Sequence, residues 1–143
     1  MKKLRFLLII AYTFFCAALA GYFANPSAVG YNSILLPQFM PKIIFLYFAL
    51  AVAYAVICIS AFFAKNRLVY IYALSSALNA LWCYAFFEKG RLFFAFVICL
   101  ILFCLSVYLI KHTKAKPVKI LFAPYLLWLC FLLVINYVVI MMN

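Results

Sequence analysis

The residues able to do acid–base, nucleophilic or metal chemistry are few. The chain of 143 residues holds one acidic side chain, Glu88, and one histidine, His112. Two-carboxylate hydrolysis, a Ser-His-Asp triad and a His-rich metal or haem site therefore lack the groups they need. No catalytic residue and no metal ligand is expected, and no cofactor is required. The six cysteines, Cys16, Cys58, Cys83, Cys99, Cys104 and Cys130, all fall inside apolar runs. Without a C-x-x-C pair or a neighbouring histidine, they read as small packing residues rather than disulfides or zinc ligands. Glu88 reads as a local cap or a partner for Arg91. What remains is amides, phenols and indoles at helical spacing. Ser75, Asn79, Trp82 and Phe86 share one helix face, and Tyr125, Trp128, Leu132, Asn136 and Asn143 fall on another line. Tyr47, Tyr54 and Cys58 make a weaker stripe, as do Tyr12, Cys16, Leu19 and Phe23.

The elements that must position these stripes follow from composition. Hydrophobic residues make up 74% of the chain, only 9% are charged, and the mean hydropathy is +1.30. Those values belong to an integral membrane protein. Charges divide the chain into five apolar runs, at about 6–24, 43–64, 68–87, 92–110 and 120–142. Each is about 19–23 residues long, the length a helix needs to cross roughly 30 Å of hydrocarbon. None alternates polar with apolar as a barrel strand would. The expected fold is all-α, a five-transmembrane-helix bundle in a single membrane domain over 1–143. The first run also imitates a secretory signal, with "MKKLR" ahead of it and Ala18–Ala20 as small residues. Its continuation through Gly21, Tyr22 and Phe23 favours a retained span.

The net charge of +11 comes from twelve Lys and Arg set between the spans. They form no single basic face, so no nucleic-acid partner is expected. Lys2, Lys3, Arg5, Lys65, Arg67, Lys111, Lys114, Lys116 and Lys119 share one side, against Lys42, Lys89 and Arg91 on the other. The positive-inside rule then places the N-terminus in the cytoplasm, in a multi-pass protein of the plasma (inner) membrane. Lipid is one expected partner, and "KHTKAKPVK" would lie near anionic headgroups.

The short connections "KNR" and "EKGR" make the second, third and fourth helices antiparallel neighbours. The connection 25–42 differs: Pro26, Gly30, Pro37 and Pro41 interrupt it, while Ile34, Leu35, Leu36, Phe39 and Met40 keep it apolar. A loop of this length and greasiness is expected to fold back over the helix ends, either as a lid or as an interfacial anchor. Small residues four apart, such as Ala17 and Gly21, Ala49 and Ala53, or Ala73 and Ala77, suit close helix contact. Polar stripes facing lipid would go unsatisfied, so Asn79 and Asn136 should face the interior. Two readings of the stripes stay open: interhelical packing, in which one hydrogen bond contributes about 0.6 kcal/mol, and a pocket for a flat apolar ligand walled by aromatics.

"LNALWCYAFF" (Leu78 to Phe87) and "PYLLWLCFLLVIN" (Pro124 to Asn136) resemble two motifs of the tryptophan-rich sensory protein family (TspO/MBR), whose animal members are called translocator protein or peripheral benzodiazepine receptor. The motifs are L-N-x-x-W-x-x-x-F-F and P-Y-x-x-W-x-x-F-A-x-x-L-N. The family's second-helix pattern is matched in skeleton by Pro37, Phe39, Pro41 and Tyr54. The resemblance implies a five-helix bundle, often a homodimer, that binds a hydrophobic small molecule beneath the first loop. The resemblance implies a tetrapyrrole ligand such as protoporphyrin or a haem-like ring, and in some members cholesterol or synthetic ligands. By motif position Asn79, Trp82 and Trp128 would line the pocket and Pro41 would close it, with Tyr54, Leu132 and Asn136 on the same walls. The chain departs from the pattern at Ile44 and Leu50, which stand where the family has tryptophans, at Lys42 in place of a second proline, and at Leu132 in place of alanine. The expected function is a receptor or carrier. The alternative is a structural or regulatory membrane subunit with a degenerate pocket. Light-dependent porphyrin degradation, proposed for family members, is disfavoured because catalytic groups are few.

Overall fold

A computed structural model describes residues 2–64 and 66–143. Its elements are α1 (Lys2–Phe23), a short α2 (Val29–Asn32), α3 (Ile43–Phe63), α4 (Asn66–Cys83) running into a π-helical turn (Tyr84–Glu88), α5 (Leu92–His112) and α6 (Lys116–Met142). No strand occurs among the described residues. Among the described residues, five helices are long and apolar enough to span a membrane, the third being α4 with its π turn. The chain is an all-α, multi-pass integral membrane protein.

The five long helices form a ring in the order α1, α3, α6, α5, α4, with α4 also touching α3 across the middle. The expected neighbours, α3 with α4 and α4 with α5, are in contact. Half of the most apolar window of α4 is buried, against 17% for α1. The helix with the most polar stripe is thus the central one, and α1 mostly faces lipid. This follows from the energetics of a bilayer, where lipid satisfies apolar side chains anywhere but polar ones find partners only inside the bundle. Cys16, Cys83 and Cys99 are buried in the core, Cys58 is half-buried, and Cys104 and Cys130 lie on the outer surface instead of packing inside.

Helix ends follow their sequences. Pro117 sits in the first turn of α6, where its missing N–H has no helical partner to lose. Lys111 occupies the last turn of α5, where a cation meets the negative end of the helix dipole. Gly90, at φ +59°, takes the left-handed conformation that ends the third span. The π turn before it lets Ala85, Phe86 and Phe87 all be buried in succession.

The 25–42 loop closes the end of the bundle opposite the N-terminus. Ser27 N–H bonds to Asn25 Oδ1 (2.9 Å), and Asn32 Nδ2 bonds to the Pro26 and Ala28 carbonyls (both 3.2 Å), which fixes the turn into α2. The Tyr47 hydroxyl of α3 donates to the Ala24 carbonyl at the end of α1. Leu35 pairs twice with Asn143, its N–H donating to Oδ1 (2.8 Å) and its carbonyl accepting from Nδ2 (3.0 Å). Gly30 meets the π turn backbone to backbone: a Cβ there would lie 2.3 Å from Gly90 N and 2.6 Å from Phe87 O. Tyr31 stacks on Phe87 with centroids 5.0 Å apart.

A Gly30→Ala substitution is therefore expected to push the loop off the π turn and to cost about 1–3 kcal/mol, the usual range for overpacking. Limited proteolysis within 25–42 should become faster than in the parent protein. An unchanged cleavage rate would mean the contact does not hold the loop.

Candidate ligand-binding site

The two amide stripes meet across the interior. α4 and α6 have no backbone contact among the described residues, and long side chains bridge the space between them. Asn79 Nδ2 donates to Tyr125 Oη (2.8 Å) and to its own helix at Ser75 O (2.9 Å). One turn further on, Trp82 Nε1 donates to Asn136 Oδ1 (3.4 Å), while Asn136 Nδ2 donates to Leu132 O (2.7 Å). Asn79, Trp82, Tyr125, Leu132 and Asn136 are all buried. Trp82 lies flat on Phe86, with centroids 5.3 Å apart, and meets Phe87 edge-on. Tyr54 donates from α3 to the Ser76 carbonyl (3.1 Å), joining a third helix to the same network.

These residues form a closed core, and the spacing that put them on inward faces did not reveal that they would fill the interior. Leu50, at one of the two positions where the family has tryptophan, is buried within that core, whereas Ile44 is 68% exposed and walls nothing. Pro41 is half-buried in the loop ahead of α3. Tyr125, the direct partner of Asn79, was visible on the fifth-span stripe, but nothing in the sequence paired it with Asn79.

Trp128 stands apart from the bridges. It is half-buried, and its indole N–H is sealed from solvent with no hydrogen-bond partner. With Phe48, Ala49, Val52, Ala53, Pro124 and Tyr125 it lines a groove of about 200 Å³ between α3 and α6. Ala49 and Ala53 leave room there because they face an indole rather than another backbone. Pro124 inside α6 removes the N–H that the Ile120 carbonyl would otherwise accept, loosening the helix beside the groove. An unsatisfied buried donor costs about 1–3 kcal/mol, so the Trp128 N–H is poised for an acceptor.

The sequence model of the TspO/MBR family matches residues 6–142. The chain belongs to the TspO/MBR family. A search of the curated proteins returned no match. Membership places this TspO/MBR protein among membrane ligand-binding receptors and transporters. The two C-terminal motifs are the source of its interior bridges. In this TspO/MBR protein the motif asparagine of the third span bonds the motif tyrosine of the fifth, and the motif tryptophan of the third bonds the motif asparagine of the fifth.

The loop residue that touches the cluster, Tyr31, has its phenol pushed above its ordinary value by burial and so stays a neutral hydroxyl. Lys89 sits over the Tyr84 ring at 5.6 Å, while Glu88 and Arg91 are both exposed.

A double-mutant cycle with Asn79→Ala and Tyr125→Phe should return a coupling of about 0.6 kcal/mol, the average for interhelical hydrogen bonds in membranes, and no more than about 1.7 kcal/mol. Reversible unfolding in mixed micelles reads it. Additive single-mutant effects would show that the bridge contributes nothing to stability.

Proposed function

We propose that this protein is a receptor or carrier for a flat hydrophobic molecule of the tetrapyrrole class, such as protoporphyrin, taken up between α4 and α6 beneath the 25–42 loop. One observation carries the reading: these helices face each other across the interior without backbone contact and are held by two side-chain bridges. Each bridge contributes only about 0.6 kcal/mol, so a ligand displaces both at little cost. Trp82 and Trp128 then offer aromatic faces, Asn79 and Asn136 offer amides to polar edges, and the Trp128 N–H gains an acceptor. Ligand pockets are typically about 300–1,000 Å³, and the groove at Trp128 is about 200 Å³. The closed interior does not hold such a ring as it stands. Uptake therefore requires the bridges to open and the loop to lift from the π turn. Nothing around Trp128 forms an acid–base pair, and the proposed activity is binding without covalent chemistry. The excess of basic residues at the N-terminal end supports a cytoplasmic N-terminus.

A second reading, a structural or regulatory membrane subunit, is favoured by Leu50 and Leu132, which are buried in the core. In that case the filled interior is the working state, and the partner is another protein.

Titration of the detergent-solubilised protein with protoporphyrin, followed by tryptophan fluorescence, separates the two. The receptor reading expects saturable quenching, with affinity lowered about tenfold, or about 1.4 kcal/mol, in Trp128→Phe and in Asn79→Leu. Absorbance of the complex should stay constant under illumination. Non-saturable quenching, together with a stoichiometric protein partner retained in mild detergent, would favour the subunit.

A further inference from the structure

Three grooves on the flank of the bundle differ in what lies behind them. One of about 360 Å³ is lined by residues of α1, α3 and α4, and one of about 390 Å³ by residues of α1 and α4. Neither is lined by a residue of α6. The third is the Trp128 groove between α3 and α6. It opens toward lipid, since Phe48 is 70% and Val52 41% exposed. Tyr125 lines the same groove yet is buried, and its hydroxyl accepts from Asn79 Nδ2 in the interior (2.8 Å). One side chain thus belongs both to a groove on the membrane face and to the bridge that holds α6 to α4. On its other side α6 packs on α5, where the Cys99 thiol donates to the Leu129 carbonyl (3.8 Å).

We propose that the hydrophobic ligand reaches the interior sideways from the bilayer, between α3 and α6, with Tyr125 as the gate and Ala49 and Ala53 setting the width of the entrance. The inference rests on the receptor reading above and adds the route to it. Solubility is the first argument. A flat hydrophobic molecule partitions into hydrocarbon rather than water, so it arrives at the flank of the bundle and not at its ends. Those ends are also obstructed. The 25–42 loop covers one through its contact at Gly30 and the Leu35–Asn143 pair, and Lys111, Lys114 and Lys116 are exposed near the other. The gate's chemistry is the second argument. The bond between Tyr125 and Asn79 is of a kind that contributes little in a membrane, and a side chain changes rotamer without parting helices. The backbone is the third. Pro124 directly precedes Tyr125 and interrupts the hydrogen-bond ladder of α6, and helices bend at proline, so the wall that carries the gate yields there. Width follows from Ala49 and Ala53, one turn apart on α3, which present only methyl groups to the groove. The Trp128 N–H, sealed without a partner, offers a first polar contact along the path. The 25–42 loop then lifts to make room for a ring already inside, not to admit one from water.

Stopped-flow mixing of protoporphyrin with the protein held in lipid nanodiscs, followed by tryptophan quenching, tests the route. In Ala49→Phe the added ring must be displaced at each passage, a cost in the overpacking range. Association and dissociation should therefore both slow at least about tenfold while helicity stays unchanged. Phe48→Ala, which widens the mouth at an exposed position, should speed both. Tyr125→Phe, which frees the gate from Asn79, should speed association about threefold. Ala77→Phe, which fills the α1–α4 groove, should leave both rates at the parent value. Saturable binding by the parent with unchanged rates in Ala49→Phe and Phe48→Ala would overturn the entrance and leave the receptor reading standing. Faster dissociation in Ala49→Phe would make Ala49 a wall of the final site, and an equal slowing in Ala77→Phe would move the route to α1 and α4; either result overturns the entrance. Absence of saturable binding by the parent would remove the receptor reading and the route with it.

Discussion

In a bilayer, apolar surface gains nothing by moving from lipid to protein, so the helices must be joined by close packing and by hydrogen bonds that lipid cannot offer. Everything else in this molecule depends on where those bonds run. They converge on α4, which reaches α3 through Tyr54 and Ser76, α5 through Tyr72 and Thr113 (3.4 Å), and α6 through Asn79 with Tyr125 and Trp82 with Asn136. A helix with this many polar obligations cannot sit at the edge. Its central position orders the ring and leaves α1, with the least buried surface, on the outside.

The same bonds give the interior two characters. Between α3 and α4 the contact is backbone-close, whereas between α4 and α6 only side chains meet. A space filled by rotatable side chains differs from one filled by backbone, because rotamer changes are fast and local and do not require helices to part. On the proposed function, the closed interior and a ligand-accepting one would be neighbouring states of one scaffold. On that reading Trp128, whose N–H lacks a partner in the closed state, is the group with a hydrogen bond to gain.

Much of this was legible in the sequence. Span number and type were plain, because charge and length in a bilayer leave few alternatives. The inward direction of the Asn79 and Asn136 stripes was legible for the same reason. Three things were not. The π turn has no composition cue, and helical periodicity carries no warning that Phe86 and Phe87 will both be buried. The pairing of Asn79 with Tyr125 depends on how far α4 stands from α6, a distance that neither stripe encodes. The meaning of small residues was ambiguous as well: Ala49, Ala53, Ala73 and Ala77 signalled close helix contact, yet each lines an open groove, because a missing side chain makes either a contact or a void.

The loop's attachment to the bundle bears on how the chain tolerates change. Its tightest contact joins the Gly30 backbone to the backbone at Gly90 and Phe87, and its bond to the last residue of the chain uses the Leu35 main chain. The side chains of Val29, Leu35 and Phe39 point outward and are exposed, and none of these main-chain attachments uses them. Substitution can accumulate at those three positions without unseating the cover. The surface presented to the membrane interface is thus adjustable independently of the closure beneath it.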